Sequence, residues 1–113
     1  LQQGLSLLQT GGCDYAFSVT TFAFPIQRAI RITGRNHVEM FNASQFNTRS
    51  QDLEEAFHDA GQFYWGTNAA WLSGKPIFSA GARPVKLPRH RVQDIDTLED
   101  WERAEWMFKA MRN

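Results

Sequence analysis

The segment from Tyr15 to Phe24 constrains the fold most, because aromatic and β-branched side chains occupy it almost continuously. Residues of these types favour extended backbone. A strand that is apolar on both faces is usually covered on both faces by other elements of the fold. We therefore predict a buried central strand, around which a chain of 113 residues is long enough to build a modest core.

Helical and extended patterns alternate along the rest of the chain, which predicts an α/β layered domain. The predicted elements are a helix over 1–9, the strand over 15–24, a β-hairpin over 26–41, a short helix over 50–57, a strand over 62–65, a short helix over 68–72, an extended piece over 76–78, a basic loop over 83–89, a strand over 91–95 and a helix from 97 onwards. Thr97 is predicted to cap the last helix, whose apolar positions follow helical spacing and are expected to pack on the sheet. These positions are Leu98, Trp101, Ala104, Phe108 and Met111.

Composition excludes several classes of protein. Hydrophobic residues make up 42% and charged residues 21%, as in a soluble globular domain, and 12 basic residues balance 12 acidic ones. This neutrality argues against a nucleic-acid binder held by phosphate contacts. The single cysteine, Cys13, excludes an internal disulfide framework and a Cys-rich zinc site. No apolar stretch reaches the roughly 20 residues of a membrane span, and no secretory leader is visible, so a cytoplasmic protein without membrane contact is expected.

The motif Asp94-Ile95-Asp96-Thr97 is predicted to lie where a strand meets a helix. Side chains two residues apart on a strand point the same way, roughly 6–7 Å apart. Two carboxylates so placed can bind Mg²⁺, which takes one or two carboxylates and completes its shell with water and substrate phosphates. The alternative is that the motif only caps the helix, because Asp and Thr are common caps.

The aromatic segment 57–65 and a set of basic residues are the other candidate ligand-binding features. The segment mixes aromatic and hydrogen-bonding side chains that can line a pocket for a polar ligand, although core packing and a structural role for His58 are the alternatives. Arginine can grip a carboxylate with two parallel hydrogen bonds. Arg49 is the best candidate for such a contact, and the other basic residues of the set are predicted to lie on a solvated surface. The full set is Arg28, Arg31, Arg35, Arg49, Lys86, Arg89 and Arg91.

Four stretches stand in an order that resembles the acylneuraminate cytidylyltransferases, the CMP-sialic acid synthetases. They are 49–57 (RSQDLEEAF), 61–64 (GQFY), 76–78 (PIF) and 94–100 (DIDTLED). The stretches FHDAGQFYWG and LPRHRVQDIDTLEDW are most similar to the pseudaminic acid branch of this family. The resemblance covers essentially the whole chain.

This resemblance implies a partial nucleotide-diphospho-sugar transferase (Rossmann-like) fold and an enzyme that transfers CMP from CTP to a nonulosonic acid, releasing pyrophosphate. The family's metal-binding catalytic aspartates correspond to Asp94 and Asp96, so Mg²⁺ is the implied cofactor. The family's CTP-binding loop has no counterpart here. The chain is therefore expected to be the C-terminal half of a protein roughly twice as long, and to be inactive by itself.

The resemblance also implies a set of sugar-binding residues. It comprises Arg49, Gln62, Tyr64, Ile77 and Phe78, with His58 at the position of a second family arginine and Gln27 or Arg28 at that of a family lysine. The replacements at these positions favour a modified nonulosonic acid such as pseudaminic acid, with N-acetylneuraminate and 3-deoxy-manno-octulosonate as alternatives.

The hairpin over 26–41 corresponds to the family's dimerisation arm, so a homodimer is implied. An alternative of another class stays open: a non-catalytic interaction module in which the hairpin mediates dimerisation and the aspartate pair only caps a helix.

Overall fold

A computed structural model describes residues 1–112 of the chain. The strand β1, Tyr15–Thr21, is the middle strand of a three-stranded sheet. Its first six residues are buried, which confirms the predicted central strand. The strand is shorter than predicted, and Phe24, beyond its end, is 83% exposed.

The described chain divides into two units. The sheet unit comprises residues 1–20 and the described part of 59–113, and the hairpin unit comprises residues 21–58. The sheet has the order β4-β1-β5, in which β4 is Phe57–Gly66 and β5 is Ala82–Lys86.

Strand β1 pairs with β5 in parallel register, with Ala82 opposite Tyr15. It runs antiparallel to β4: Thr67 N donates to the carbonyl of Asp14 at one end, and Gln62 N reaches Ser18 further along. The sheet is therefore mixed, and the α/β class is confirmed.

The segment predicted as a basic loop over 83–89 contains most of β5, so that prediction is wrong. Pro84 argued against a strand, because proline cannot donate a ladder hydrogen bond. It is tolerated here since β5 lies at the end of the strand order, where one side of a strand needs no partner. The predicted strand over 91–95 is also wrong: Arg89–Arg91 is a single 3₁₀ turn followed by irregular backbone, and β5 takes the place beside β1.

Three α-helices complete the sheet unit: α1 (Gln2–Thr10), α2 (Asn68–Ser73) and α3 (Leu98–Arg112). All three confirm predicted helices. Helix α2 begins at Thr67, whose hydroxyl accepts from Ala70 N at 3.1 Å, and ends at Gly74 with φ 70°, a left-handed conformation that suits glycine. Among residues 1–112, no helix has the length and apolar character needed to cross a membrane.

Helix α3 does not pack as predicted. It has no buried residue, and Leu98 is 74% exposed, so the expected apolar packing face is wrong. Only a narrow stripe through Asp100, Ala104 and Met107 is half-buried. The helical spacing of the apolar residues therefore predicted that α3 is a helix, but it did not predict which face of α3 packs on the rest of the protein.

The predicted short helix over 50–57 is wrong. Only Ser50–Asp52 forms a 3₁₀ turn, Leu53 is already extended, and β4 begins at Phe57. Phe57, the last residue of the predicted helix, belongs to β4, whose place in the sheet requires extended backbone. The sequence Asp59-Ala60-Gly61, between the predicted helix and the predicted strand over 62–65, lies inside β4.

The hairpin unit contains β2 (Ile30–Ile32) and β3 (Val38–Met40), paired antiparallel with Ile32 opposite Val38. Thr33 N donates to the carbonyl of His37 at 2.8 Å and closes the turn. The predicted hairpin is confirmed with shorter strands. A 3₁₀ turn over Ile26–Arg28 precedes it.

Candidate functional site

Three aromatic rings from separate parts of the sheet unit meet at one place. The ring of Phe17 on β1 lies 5.8 Å from that of Tyr64 on β4 and 5.6 Å from that of Phe78, centroid to centroid. We call Phe17, Tyr64 and Phe78 the aromatic cluster. It brings together two residues predicted to bind the sugar, Tyr64 and Phe78.

A pocket of about 310 Å³ adjoins this cluster. It is lined by Phe17, Ile77, Phe78, Ser79, Ala82, Arg83 and Pro84. Its size lies at the lower end of the range for small-molecule sites, roughly 300–1,000 Å³. Apolar walls with one cation at the side can take a small anionic ligand that has an apolar face.

Sequence reasoning missed Phe17 and Arg83 as pocket residues. Phe17 was predicted only as part of a buried strand, and nothing in the pattern distinguished it from its neighbours. Arg83 was assigned to a loop because of Pro84. It is exposed, and among residues 1–112 its guanidinium makes no hydrogen bond or ion pair. A sequence-based prediction of a bend between residues 76 and 81, followed by a strand, would have identified the residues on both walls of the pocket.

The hydroxyl of Tyr64 donates a hydrogen bond to Asp59 Oδ2, and this bond is the main reason the pKa of Tyr64 lies above its ordinary value. Partial burial and the negative charge of Asp59 act in the same direction. Tyr64 is nevertheless 42% exposed, so its ring remains accessible to a ligand.

Gln62 faces a different cavity. Its side-chain Nε2 donates to the carbonyl of Arg91 at 3.0 Å. It lines a groove of about 390 Å³ together with Leu87, His90, Arg91, Gln93, Ala104, Met107, Phe108 and Met111. The structure therefore separates Gln62 from the pocket that Ile77 and Phe78 line.

Asp94 and Asp96 lie on irregular backbone between the 3₁₀ turn and α3, and both are exposed. The cap of α3 is formed by other groups. The hydroxyl of Thr97 accepts from Asp100 N at 3.1 Å, and Asp100 Oδ2 accepts from the amides of Asp96 and Thr97 at 3.0 and 3.1 Å. These hydrogen bonds, the one from Asp96 N first, lower the pKa of Asp100.

The capping alternative accounts for Thr97 but leaves the carboxylates of Asp94 and Asp96 without hydrogen-bond or ion-pair partners within residues 1–112. No group of three or more candidate metal ligands is assembled in this part of the chain. Mg²⁺ needs only one or two carboxylates from a protein when phosphates and water complete its shell. The donor set of the two aspartates fits that requirement.

The remaining predicted residues lie in the hairpin unit. Arg49 Nε pairs with Asp52 Oδ2 at 2.9 Å, and both side chains are largely exposed. Arg28 donates to the carbonyl of Thr48, next to Arg49, so its guanidinium supports the backbone there. Exposed pairs of this kind contribute little to stability, and Arg49 can exchange Asp52 for another carboxylate at low cost.

Gln27 and His58 also have structural contacts within the hairpin unit. Gln27 Nε2 donates to the carbonyl of Glu54 at 2.9 Å, while its Oε1 is buried without a hydrogen-bond partner. The ring of His58 meets Phe22 edge to face, 4.9 Å between centroids.

Comparisons with known proteins identify the class of enzyme to which the chain is similar. No family model matches the chain. Curated proteins with cytidylyltransferase in their names do align with it, which confirms the resemblance indicated by the motifs.

Two proteins of Campylobacter jejuni, from serotypes O:2 and O:23/36, are called pseudaminic acid cytidylyltransferase. Each is 45% identical over 96 residues, which is 85% of this chain and 41% of the relative. A Helicobacter pylori protein named pseudaminic acid cytidylyltransferase and UDP-2,4-diacetamido-2,4,6-trideoxy-beta-L-altropyranose hydrolase is 37% identical over 82 residues, 73% of this chain and 16% of that protein. The chain thus spans well under half the length of the curated relatives it matches.

Proposed function

We propose that this chain is part of an enzyme that transfers CMP from CTP to pseudaminic acid and releases pyrophosphate. The observation that carries the proposal is the 45% identity over 96 residues with two proteins named for this activity. The aligned stretch is long and includes most of this chain. The proposed fold is the C-terminal part of a nucleotide-diphospho-sugar transferase domain, for which the mixed sheet β4-β1-β5 is suitable.

The sugar side of the reaction is assigned to the aromatic cluster and its pocket. Phe78 and Ile77 offer apolar surface for the non-polar parts of the sugar, and Tyr64 offers an aromatic face with a polar tip. Arg49 is assigned to the sugar carboxylate, because its guanidinium already binds an exposed carboxylate, that of Asp52.

The phosphate side is assigned to Asp94 and Asp96, whose carboxylates would hold Mg²⁺. When bound, the metal supplies positive charge that neutralises the phosphates. In the proposed reaction the anomeric oxygen forms a bond to the α-phosphorus of CTP. The bond from that phosphorus to the β-phosphate oxygen breaks, pyrophosphate leaves, and the hydroxyl proton passes to solvent or a base. By holding the metal, Asp94 and Asp96 would place positive charge beside the reacting phosphate.

Homodimerisation through the hairpin and a cytoplasmic location complete the proposal. Support for the dimer comes from the exposed apolar side chains of β2 and β3, of which Ile32 is 74% exposed. Large exposed apolar patches often mark protein interfaces.

A pyrophosphate-release assay tests the proposed function. The full-length protein that contains this chain is supplied with CTP, Mg²⁺ and one of three sugar acids: pseudaminic acid, N-acetylneuraminate or 3-deoxy-manno-octulosonate. We expect release to depend on the sugar, with kcat/KM highest for pseudaminic acid. Preference for another sugar would reassign the substrate. A purified folded protein that releases no pyrophosphate with any of them would favour the non-catalytic interaction module.

A further inference from the structure

Asp59 is the third residue of β4 and lies in the sheet unit, and both oxygens of its carboxylate accept local hydrogen bonds. Its Oδ1 accepts from Gly61 N at 2.8 Å, and its Oδ2 accepts from the hydroxyl of Tyr64. Gly61 has φ 69°, a conformation that glycine adopts without strain. The hydrogen bond that the amide of Gly61 donates to the side chain of Asp59 forms an Asx turn. This turn stabilises the left-handed backbone conformation of Gly61, which is unusual inside a strand.

The same stretch of β4 departs from a regular ladder. The hydroxyl of Ser18, a buried residue of β1, accepts from two successive amides, Gln62 N at 3.2 Å and Phe63 N at 3.4 Å. Two consecutive amides directed at one residue of the neighbouring strand are typical of a local bulge. Such irregularities re-aim the side chains that follow and are frequent beside active sites.

Tyr64 is the side chain that follows this irregularity. Its ring is tilted 34° to that of Phe17. Phe17 in turn contacts Phe78, which lines the pocket. The position of the Tyr64 ring is therefore fixed from two directions, by the ring of Phe17 and by the carboxylate that holds its hydroxyl.

We infer that Asp59 is a positioning residue of the sugar site: it holds Tyr64 against the aromatic cluster, with the phenol proton donated to the carboxylate of Asp59. This inference rests on the proposed function. A phenol that donates its proton to Asp59 can only accept further hydrogen bonds, through its oxygen lone pairs. Tyr64 is thereby set to receive a hydroxyl or amide N–H of the sugar.

The bond to Asp59 also keeps Tyr64 protonated. A raised pKa means that the neutral phenol is favoured in the folded protein. The stabilisation from this pair is fully present below the pKa that tyrosine has in the unfolded chain, and it is lost as the pH rises through the higher folded value. The pair is therefore intact at neutral pH.

The substitution Asp59→Asn removes one of the two hydrogen bonds of this side chain and keeps the other. Asparagine also forms Asx turns, so its oxygen keeps the bond from Gly61 N, whereas its NH₂ group cannot accept the hydroxyl of Tyr64. In the full-length protein we expect the KM for pseudaminic acid to rise roughly tenfold, because one charge-assisted hydrogen bond is lost. The KM for CTP is expected to stay within about twofold. Glu102→Gln, an exposed carboxylate on α3, is the matched control.

A spectroscopic readout distinguishes positioning from a general structural defect. Absorbance titration of the protein minus that of its Tyr64→Phe variant isolates the phenol of Tyr64. We expect its pKa to fall toward the ordinary tyrosine value in Asp59→Asn. In the Tyr64→Phe background, Asp59→Asn is expected to have no further effect on the KM for the sugar.

The outcomes separate this inference from the proposed function. If the unaltered protein is active but Asp59→Asn changes neither the KM for the sugar nor the pKa of Tyr64, the inference is wrong and the function stands. If Asp59→Asn does not fold, Tyr64→Phe decides: a similar rise in KM supports the inference, and an unchanged KM overturns it. If the unaltered protein is inactive with every sugar, both fail together.

Discussion

At the scale of single residues, the two exposed aspartates before α3 and the exposed arginine of the hairpin unit carry the proposed chemistry. Thr97 and Asp100 provide the helix cap, which leaves the carboxylates of Asp94 and Asp96 open to solvent. Carboxylates with no protein partner remain solvated, and no internal ion pair competes with a cation for them. This availability is the physical basis for assigning a metal to them.

We expect Asp94→Asn to lower kcat for pyrophosphate release roughly a thousandfold, because the amide keeps the shape but loses the charge that holds the metal. Titration calorimetry with Mn²⁺ in the presence of CTP is expected to show weaker metal binding. The control is Glu102→Gln, which removes an equally exposed charge from α3. Near-normal turnover and metal affinity in Asp94→Asn would refute the metal assignment.

Arg49→Ala is expected to raise the KM for the sugar acid roughly tenfold or more, since a charge-assisted hydrogen bond to its carboxylate is lost. The KM for CTP should change little. Stability should change little as well, because the pair with Asp52 is exposed. Arg35→Ala, an exposed arginine at the hairpin tip, is the matched control. Equal effects on both substrates would argue against a carboxylate contact.

At the scale of elements, β4 and the start of α3 show how local hydrogen bonds position functional side chains. In β4 the Asx turn at Asp59 accommodates Gly61 within a strand and precedes Tyr64. Before α3, the reciprocal bonds of Thr97 and Asp100 form a capping box with aspartate in place of the usual glutamate. Both devices hold backbone beside a predicted site residue.

Thr97→Ala is expected to destabilise the protein by about 1 kcal/mol, because one amide at the start of α3 loses its acceptor. Urea denaturation followed by circular dichroism measures this change. Thr97→Ser keeps the hydroxyl and should retain most of the stability. If the alanine variant were as stable as the serine variant, the cap seen between Thr97 and Asp100 N would have no energetic role.

At the scale of the whole molecule, the chain consists of a sheet unit and a hairpin unit, and each contains some of the predicted site residues. The sheet unit holds the aromatic cluster and the aspartate pair. The hairpin unit holds Arg49 and an antiparallel hairpin with exposed apolar side chains. Exposed apolar surface on paired strands is a favourable surface for self-association.

The double substitution Ile32→Lys with Val38→Lys, a cross-strand pair, is expected to weaken the proposed dimer roughly 100-fold or more by removing apolar contact and adding like charges. Sedimentation velocity of the full-length protein measures this. Leu72→Lys, an equally exposed apolar residue on α2, is the matched control. A double variant that dimerises like the parent would place the interface elsewhere.

The sequence by itself determined the central strand, the hairpin, all three α-helices and the cap of α3, because each rests on local patterns of side chains and turn residues. Family resemblance supplied the predicted site residues. Periodicity failed where long-range pairing decides the conformation. Pro84 lies in a strand because β5 pairs with β1, and 50–57 is not a helix because its end joins β4.

Only the tertiary structure decided which side chains meet. Phe17 contacts Tyr64 because β1 and β4 are neighbouring strands, and it contacts Phe78 because a loop brings that residue to the sheet. Asp59 accepts a hydrogen bond from Tyr64 within an irregular stretch of β4. Gln62, two residues before Tyr64 in the sequence, lines another cavity. Local sequence sets the preference of each segment for a helix, strand or turn. The neighbours of a side chain depend on contacts between residues far apart in the chain, which local preferences do not encode.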